Sequence, residues 1–189
     1  LMRLTGGVLR GKALRFPRES KERPTSDFLR EALFNILGAQ GGKTFLDLFA
    51  GSGIVGVEAA SRGAEKIFLI EKNKSLAAVI EKNIDVCGFH KKCFVINKDI
   101  EKGLSGLFKK KCTFDIIFAD PPYNRSFVSS TLAHLNKYKI YHRNSLMVIQ
   151  HSVKENIVEF PECNYYLFDQ RKYGENVLTF LKWRIEDAG

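Results

Sequence analysis

A chain of 189 residues, 44% of them hydrophobic, can bury one sizeable core and fits a single domain. No apolar run approaches the length of a membrane span, and the first residues show no basic stretch followed by an apolar one. Four irregularly spaced cysteines (Cys87, Cys93, Cys112, Cys163) make no C-x-x-C pair, which weighs against a disulfide scaffold or a zinc module; the expectation is a soluble, cytoplasmic protein with free thiols and no metal site.

The formal charge of +9 is unevenly spread. Arg3, Arg10, Lys12, Arg15, Arg18, Lys21, Arg23 and Arg30 face only Glu19, Glu22 and Asp27 in residues 1–30, so more than half of the excess lies there. Two glycine-bearing turns, Gly6-Gly7 and Gly11, predict a hairpin-like arm over 1–23, followed by a globular domain over 24–189. Arginine and lysine supply the salt-sensitive part of nucleic-acid affinity, so the arm reads as a phosphate grip; a solvated charge run is the plainer alternative. Pro24-Thr25-Ser26-Asp27 then introduces a helix whose stripe of Phe28, Leu29, Ala32, Leu33, Ile36 and Leu37 faces a sheet and ends near Gly38, leaving Arg30 and Asn35 off the stripe.

Thr44 to Phe49 reads as a short strand running into Ala50-Gly51-Ser52-Gly53-Ile54-Val55-Gly56 and a helix through Arg62. Strand, glycine turn and helix form a nucleotide-binding opening: Gly51 and Gly53 let backbone approach a ligand, and Gly56 lets the helix sit close on the sheet. Lys66 to Glu71 is a second strand whose terminal acid, beside Lys72, is placed to accept from ribose hydroxyls. A helix from Lys74 to about Val86 would bury Leu76, Val79, Ile80 and Ile84 and turn Lys74, Lys82 and Asn83 to solvent. Cys93 to Asn97 is a third strand, after which Asp99 would accept from an adenine amino group while Ile100 packs on the ring; a solvated acid opening the next segment is the competing reading.

Phe114 to Ala119 is an apolar run that reads as a buried strand, and Asp120-Pro121-Pro122-Tyr123 follows at its carboxyl end, where open α/β sheets keep their chemistry. Two prolines cannot donate to a ladder, so the chain must leave the sheet in a stiff, extended shape. The rim then carries a carboxylate, carbonyls and an aromatic face, the parts that hold a planar amine. Beyond it, Phe127 to Leu135 looks helical and Leu146 to Gln150 looks like a buried strand. Tyr165 to Phe168 and Val177 to Trp183 look like a closing hairpin joined by a polar loop over 169–175. Strands alternating with helices and a terminal hairpin indicate a mostly parallel sheet with one antiparallel member near its edge.

Gly51-x-Gly53-x-x-Gly56 with a later acid is also the fingerprint of NAD enzymes. Asp47 argues against that reading: an acid just before the turn repels a pyrophosphate and favours a cationic aminoacyl ligand. S-adenosylmethionine has that cation, a ribose for Glu71 and a methyl group to deliver, and its use would engage Asp47, Phe49, Ala50, Gly51, Ser52, Gly53, Glu71, Lys72, Asp99, Ile100 and Asp120.

Gly6-Gly7 with Arg10-Gly11-Lys12, the run from Arg23-Pro24-Thr25 to Asn35, Asp47-Leu48-Phe49-Ala50-Gly51-Ser52-Gly53, Asp120-Pro121-Pro122-Tyr123 and Tyr173-Gly174 together resemble the bacterial 16S ribosomal RNA guanine-N2 methyltransferases of the RsmD type. The resemblance runs from about Arg3 to Trp183. It implies a Rossmann-like class I methyltransferase with a seven-stranded sheet and a small basic hairpin arm. It also implies transfer of a methyl group from S-adenosylmethionine to a loop guanine of small-subunit ribosomal RNA, presented by a whole or partly assembled 30S particle; a monomer is the expectation for a small basic RNA enzyme. Asp120 and the Pro121 carbonyl would hold the amino group, with Pro122 stiffening the rim and Tyr123 stacking on the base. Arg10, Lys12, Arg15, Arg23, Thr25 and Tyr173 would meet the RNA. The Asp-Pro-Pro-Tyr rim is shared with DNA adenine-N6 methyltransferases, and a ribosome-assembly factor without catalysis is the non-enzymatic alternative; glutamine-N5 methyltransferases usually have asparagine where Asp120 stands.

Overall fold

The computed structural model describes residues 2–16, 25–122, 125–155, 157 and 163–184. The chain divides into two units, Leu1–Ile100 and Glu101–Gly189.

In the first unit, a hairpin of two very short strands, β1 (Met2–Arg3) and β2 (Ala13–Leu14), is followed by helix α1 (Asp27–Leu37). Ser26 starts α1, its Oγ accepting from the Leu29 N–H, and Gly38 ends it at φ 66°. Strand β3 (Thr44–Asp47), helix α2 (Ile54–Ser61), strand β4 (Lys66–Ile70), helix α3 (Lys74–Cys87) and strand β5 (Cys93–Ile96) complete the unit. β3, β4 and β5 pair in parallel, with Asp47 level with Leu69 and Ile70 level with Ile96.

Helix α2 is buried at every position. Its inner side lies so close to β4 that a Cβ at Gly56 would stand 2.6 Å from Leu69 Cδ2, so the expected close packing is present. Its other side is covered by the hairpin: Val8 N–H donates to the Ser61 carbonyl at 2.8 Å, Leu9 N–H to Ser61 Oγ at 3.0 Å, and Ser61 Oγ to the Gly6 carbonyl at 2.8 Å. Leu4 and Leu14 are each only 2% exposed, so the hairpin is docked on the unit.

The second unit contains helix α4 (Ile100–Lys109), which overlaps the boundary by one residue, strand β6 (Phe114–Ala119), helix α5 (Arg125–Lys137), and strands β7 (Tyr141–Ser152), β8 (Tyr165–Tyr173) and β9 (Asn176–Trp183). β6 and β7 are parallel, whereas β9 runs antiparallel to both β7 and β8. Tyr141 and Trp183 stack with centroids 3.5 Å apart, and Tyr165 meets the Trp183 ring edge-on. The seven long strands have the order β5-β4-β3-β6-β7-β9-β8, a mostly parallel sheet with β9 as its antiparallel member next to an edge, as the element pattern predicts.

Several local expectations are corrected. Arg30, placed off the apolar stripe by its spacing, is fully buried, while Phe28, counted in the stripe, is 69% exposed. Asn83, expected to face solvent, is 1% exposed. Val79 is half-buried rather than buried. The strand expected over 44–49 stops at Asp47, and the polar loop expected over 169–175 is largely strand, turning only at Gly174 and Glu175. Helix α4 is an addition to the expected elements, although Ile100, Leu104 and Leu107 have helical spacing. No helix among the described residues is long and apolar enough to cross a membrane. The cysteines form no disulfides, and burial pushes the Cys93 thiol up to about 12, which leaves it protonated and inert.

Candidate active site

The carboxyl ends of β3 and β4 gather the predicted cofactor residues of the first unit. Asp47 ends β3 with 1% exposure. The turn that follows needs left-handed backbone at Gly51 (φ 55°) and Gly53 (φ 78°), and Gly53 N–H closes it on the Ala50 carbonyl at 2.7 Å. A Cβ at Gly53 would lie 2.9 Å from Ile80 Cγ2, so α3 as well as the backbone angle demands glycine there. Ala50 and Ser52 are buried, and Phe49 and Gly51 are half-buried.

Glu71, directly after β4, has a structural role. Its Oε2 accepts from Gly51 N–H at 2.9 Å and its Oε1 from Asn73 N–H at 2.7 Å, so one carboxylate ties the glycine turn to the start of α3. Each carboxylate oxygen can accept more than one hydrogen bond. Lys72 is exposed beside it. Asp99 and Ile100 are half-buried where the chain leaves β5 and enters α4.

Two asparagines outside the predicted site residues hold this arrangement. Asn97 Nδ2 donates to the Glu71 carbonyl at 2.8 Å and to the Lys72 carbonyl at 3.2 Å. Asn83 Nδ2 donates to the Ser52 carbonyl at 3.1 Å and the Arg15 carbonyl at 3.0 Å, while its Oδ1 accepts from Arg15 N–H at 2.8 Å. The sequence does carry a signal for the second: Asn83 follows Leu76 and Ile80 at i+7 and i+3, on the stripe that the helix buries.

The basic residues of the hairpin region divide into two groups. Arg10, Lys12 and Arg15 are exposed, and Val8 near the turn is 82% exposed. Arg30 instead sends Nε to Glu58 Oε2 at 2.5 Å and Nη2 to the Arg3 carbonyl at 2.5 Å. Arg62 meets the other Glu58 oxygen from Nε at 3.0 Å, and that oxygen also takes the Thr5 hydroxyl. Glu58 and Arg30 are both 0% exposed. Thr25 is buried with its carbonyl accepting from Arg30 at 3.3 Å, a structural placement that removes it from the exposed set. Arg23 lies outside the described residues.

In the second unit, β6 ends at Ala119 and the rim begins. Asp120 is half-buried, Pro121 buried and Pro122 exposed; Tyr123 lies outside the described residues. Tyr173 is half-buried at the end of β8. Two of the four histidines are engaged by other side chains: His151 Nε2 lies 2.7 Å from Thr179 Oγ1, and His142 Nε2 lies 3.1 Å from Asp115.

The family model described as "Conserved hypothetical protein 95" matches residues 2–182. The chain is 32% identical over 187 residues to YlbH of Bacillus subtilis (strain 168), covering 97% of this chain and 100% of that one. It is 31% identical over 179 residues to Ribosomal RNA small subunit methyltransferase D of Escherichia coli (strain K12), covering 92% of this chain and 86% of that one. The solved structure of yhhF from Escherichia coli superposes with a TM-score of 0.85 at 27% identity, covering 98% of this chain and 99% of that one. With a family model spanning nearly its whole length and relatives of this similarity, the chain belongs to the RsmD family of Rossmann-like class I methyltransferases.

Proposed function

We propose that this protein transfers a methyl group from S-adenosylmethionine to the exocyclic N2 of a guanine in small-subunit ribosomal RNA. The observation that carries the cofactor assignment is the Gly51 N–H···Glu71 hydrogen bond of 2.9 Å. The amide that a dinucleotide phosphate would use is already given to a carboxylate, and a second buried acid, Asp47, ends the adjoining strand. This donor set repels phosphate and suits a ligand with an ammonium group and a ribose. Asp47 would face the aminoacyl end, Glu71 the ribose, and Asp99 with Ile100 the adenine. When bound, the cofactor supplies an electrophilic methyl carbon.

The guanine amino group is conjugated with its ring and is a poor nucleophile. Acceptors on its two hydrogens draw the nitrogen toward tetrahedral geometry, and the Asp120 carboxylate and Pro121 carbonyl are suited to that work. Stiff backbone through Pro121 and Pro122 fixes their direction. Asp120 also stabilises the positive charge that develops on nitrogen. Tyr123 would stack on the base. A base inside a duplex cannot reach such a rim, so the target is a loop or an extruded nucleotide, presented on a small ribosomal subunit or its precursor. Exposed Arg10, Lys12 and Arg15, with Arg23 and Tyr173, would meet the phosphates and bases, and the enzyme would act as a monomer.

The direct test is incubation with methyl-labelled cofactor and unmodified small subunits, followed by nucleoside analysis. Label in N2-methylguanosine is expected. Label in another nucleoside would discard the guanine assignment, and no label on any particle state would favour an assembly factor. In the same assay Asp120→Ala should lose nearly all turnover while cofactor affinity changes little; normal turnover would overturn the mechanism.

A further inference from the structure

Near the carboxyl end of β7, Gln150 is a polar side chain that the reaction described above does not use. Ala119 is level with Ile149 across the parallel β6–β7 pair, which puts Gln150 level with Asp120, the first residue past β6. Adjacent strands are about 4.8 Å apart, so the two residues sit one strand spacing from each other. Gln150 is 4% exposed, yet its carboxamide oxygen is buried and has no hydrogen-bond partner among the described residues. The next residue shows the contrast. His151 is 3% exposed but has both ring nitrogens within hydrogen-bond distance of acceptors or hydroxyls, at the Ser152 carbonyl (2.9 Å) and Thr179 Oγ1 (2.7 Å). Gln170 Nε2 adds a donor to the same Thr179 hydroxyl at 2.9 Å. His151, Thr179 and Gln170 are thus wired together, and the Gln150 oxygen is left out of their network. A buried amide oxygen left out of such a network is costly, and beside the rim of a reaction site a ligand can complete it.

We propose that Gln150 is a positioning and specificity residue, its carboxamide reading the Watson–Crick edge of the guanine that Asp120 holds. This rests on the proposed guanine-N2 transfer and extends it. Guanine carries the N1–H donor directly beside its amino group, and the O6 acceptor beside that. A carboxamide offers an acceptor and a donor in the matching order, so Oε1 takes N1–H while Nε2 gives to O6. With the amino group held at Asp120, N1–H is the next donor along the same edge, and Gln150 stands on the next strand. The contact fixes the rotation of the base about its amino group, and with it the angle at which the nitrogen meets the methyl carbon.

The test compares methyl transfer to small subunits reconstituted with guanine or 2-aminopurine at the target position. 2-Aminopurine keeps the reacting amino group but lacks both N1–H and O6. The wild type should favour guanine by about 100-fold or more in kcat/KM, because a site built for a hydrogen bond rejects the analogue that lacks it. Gln150→Met, similar in volume but without the amide, should lose roughly that factor on guanine and stay within about threefold on 2-aminopurine, so the preference collapses. Were Gln150→Met not to fold, Gln150→Asn, which withdraws the amide by one methylene, is read by the same ratio and should also lose the preference. A preference unchanged in a folded variant, with both substrates falling together or neither falling, overturns the assignment and leaves guanine-N2 transfer standing. Absence of transfer to guanine by the wild type itself overturns the proposed function and this inference with it.

Discussion

Two sets of cations in the first unit share a charge and differ in what answers it. Arg30 and Arg62 converge on both oxygens of Glu58, with Thr5 and the Arg3 carbonyl completing the cluster. Arg10, Lys12 and Arg15 carry the same charge into solvent. The first set uses its charge inside the protein, joining α1, α2 and the hairpin; the second leaves it available to a partner. Net charge is blind to this distinction, so a basic segment has to be divided by burial before any of its charge is assigned to nucleic acid.

The sharpest way to break the comparison is at its centre. Glu58→Ala leaves buried Arg30 with only the exposed Asp27 carboxylate, 3.0 Å from its Nη2, and should cost about 3–5 kcal/mol in urea unfolding; a loss under about 1 kcal/mol would mean that the cluster does not hold the hairpin. Next is the seat of the hairpin itself. A Cβ on Gly7 would fall 2.0 Å from the Ser61 carbonyl oxygen, with φ at 78°, so Gly7→Ala should cost about 2 kcal/mol. Its thermal midpoint should drop accordingly, and an unchanged midpoint would show that the hairpin can lift without penalty. The exposed set should show the reverse signature. Arg10→Glu with Arg15→Glu should move stability by no more than about 0.5 kcal/mol. RNA affinity should nevertheless fall, with the slope of log K against log salt flattening by roughly 0.9 for each phosphate that the variant no longer neutralises. A steep slope retained in that double variant would move the RNA grip elsewhere.

Much of this molecule is readable from residue patterns, and each failure has a physical cause. The glycine turn, the parallel strands and the Asp-Pro-Pro rim are local: each is specified by residues within a few positions, through backbone angle or missing donors. Arg30 and Asn83 fail for the opposite reason. Their burial is compensated by partners far away in sequence, Glu58 for Arg30 and Ser52 with Arg15 for Asn83; helical spacing puts Asn83 on the buried stripe, but no periodicity names those partners. Phe28 is exposed although apolar, because a stripe defined by composition can extend past the face that is actually covered. The stretch 169–175 reads as loop because it is polar, yet β8 pairs on one side only, and an edge strand tolerates such residues. The functional gap is Gln150: the apolar run names it only as the end of a buried strand, and the structure is needed to show its oxygen buried without a partner one strand spacing from Asp120.

The hairpin seated on α2 has a further consequence, in the entropy of recognition. Its two-residue strands are far too short to stand alone, so its order comes from Ser61, Glu58 and Asn83. Fixing a free segment at the moment of binding costs about 1–2 kcal/mol for each residue's backbone. Here that ordering is completed when the chain folds, and the exposed guanidinium groups of Arg10 and Arg15 are carried on backbone that is already in place. A partner meeting this surface settles only side-chain freedom, which makes the hairpin a preorganised fitting rather than a tether.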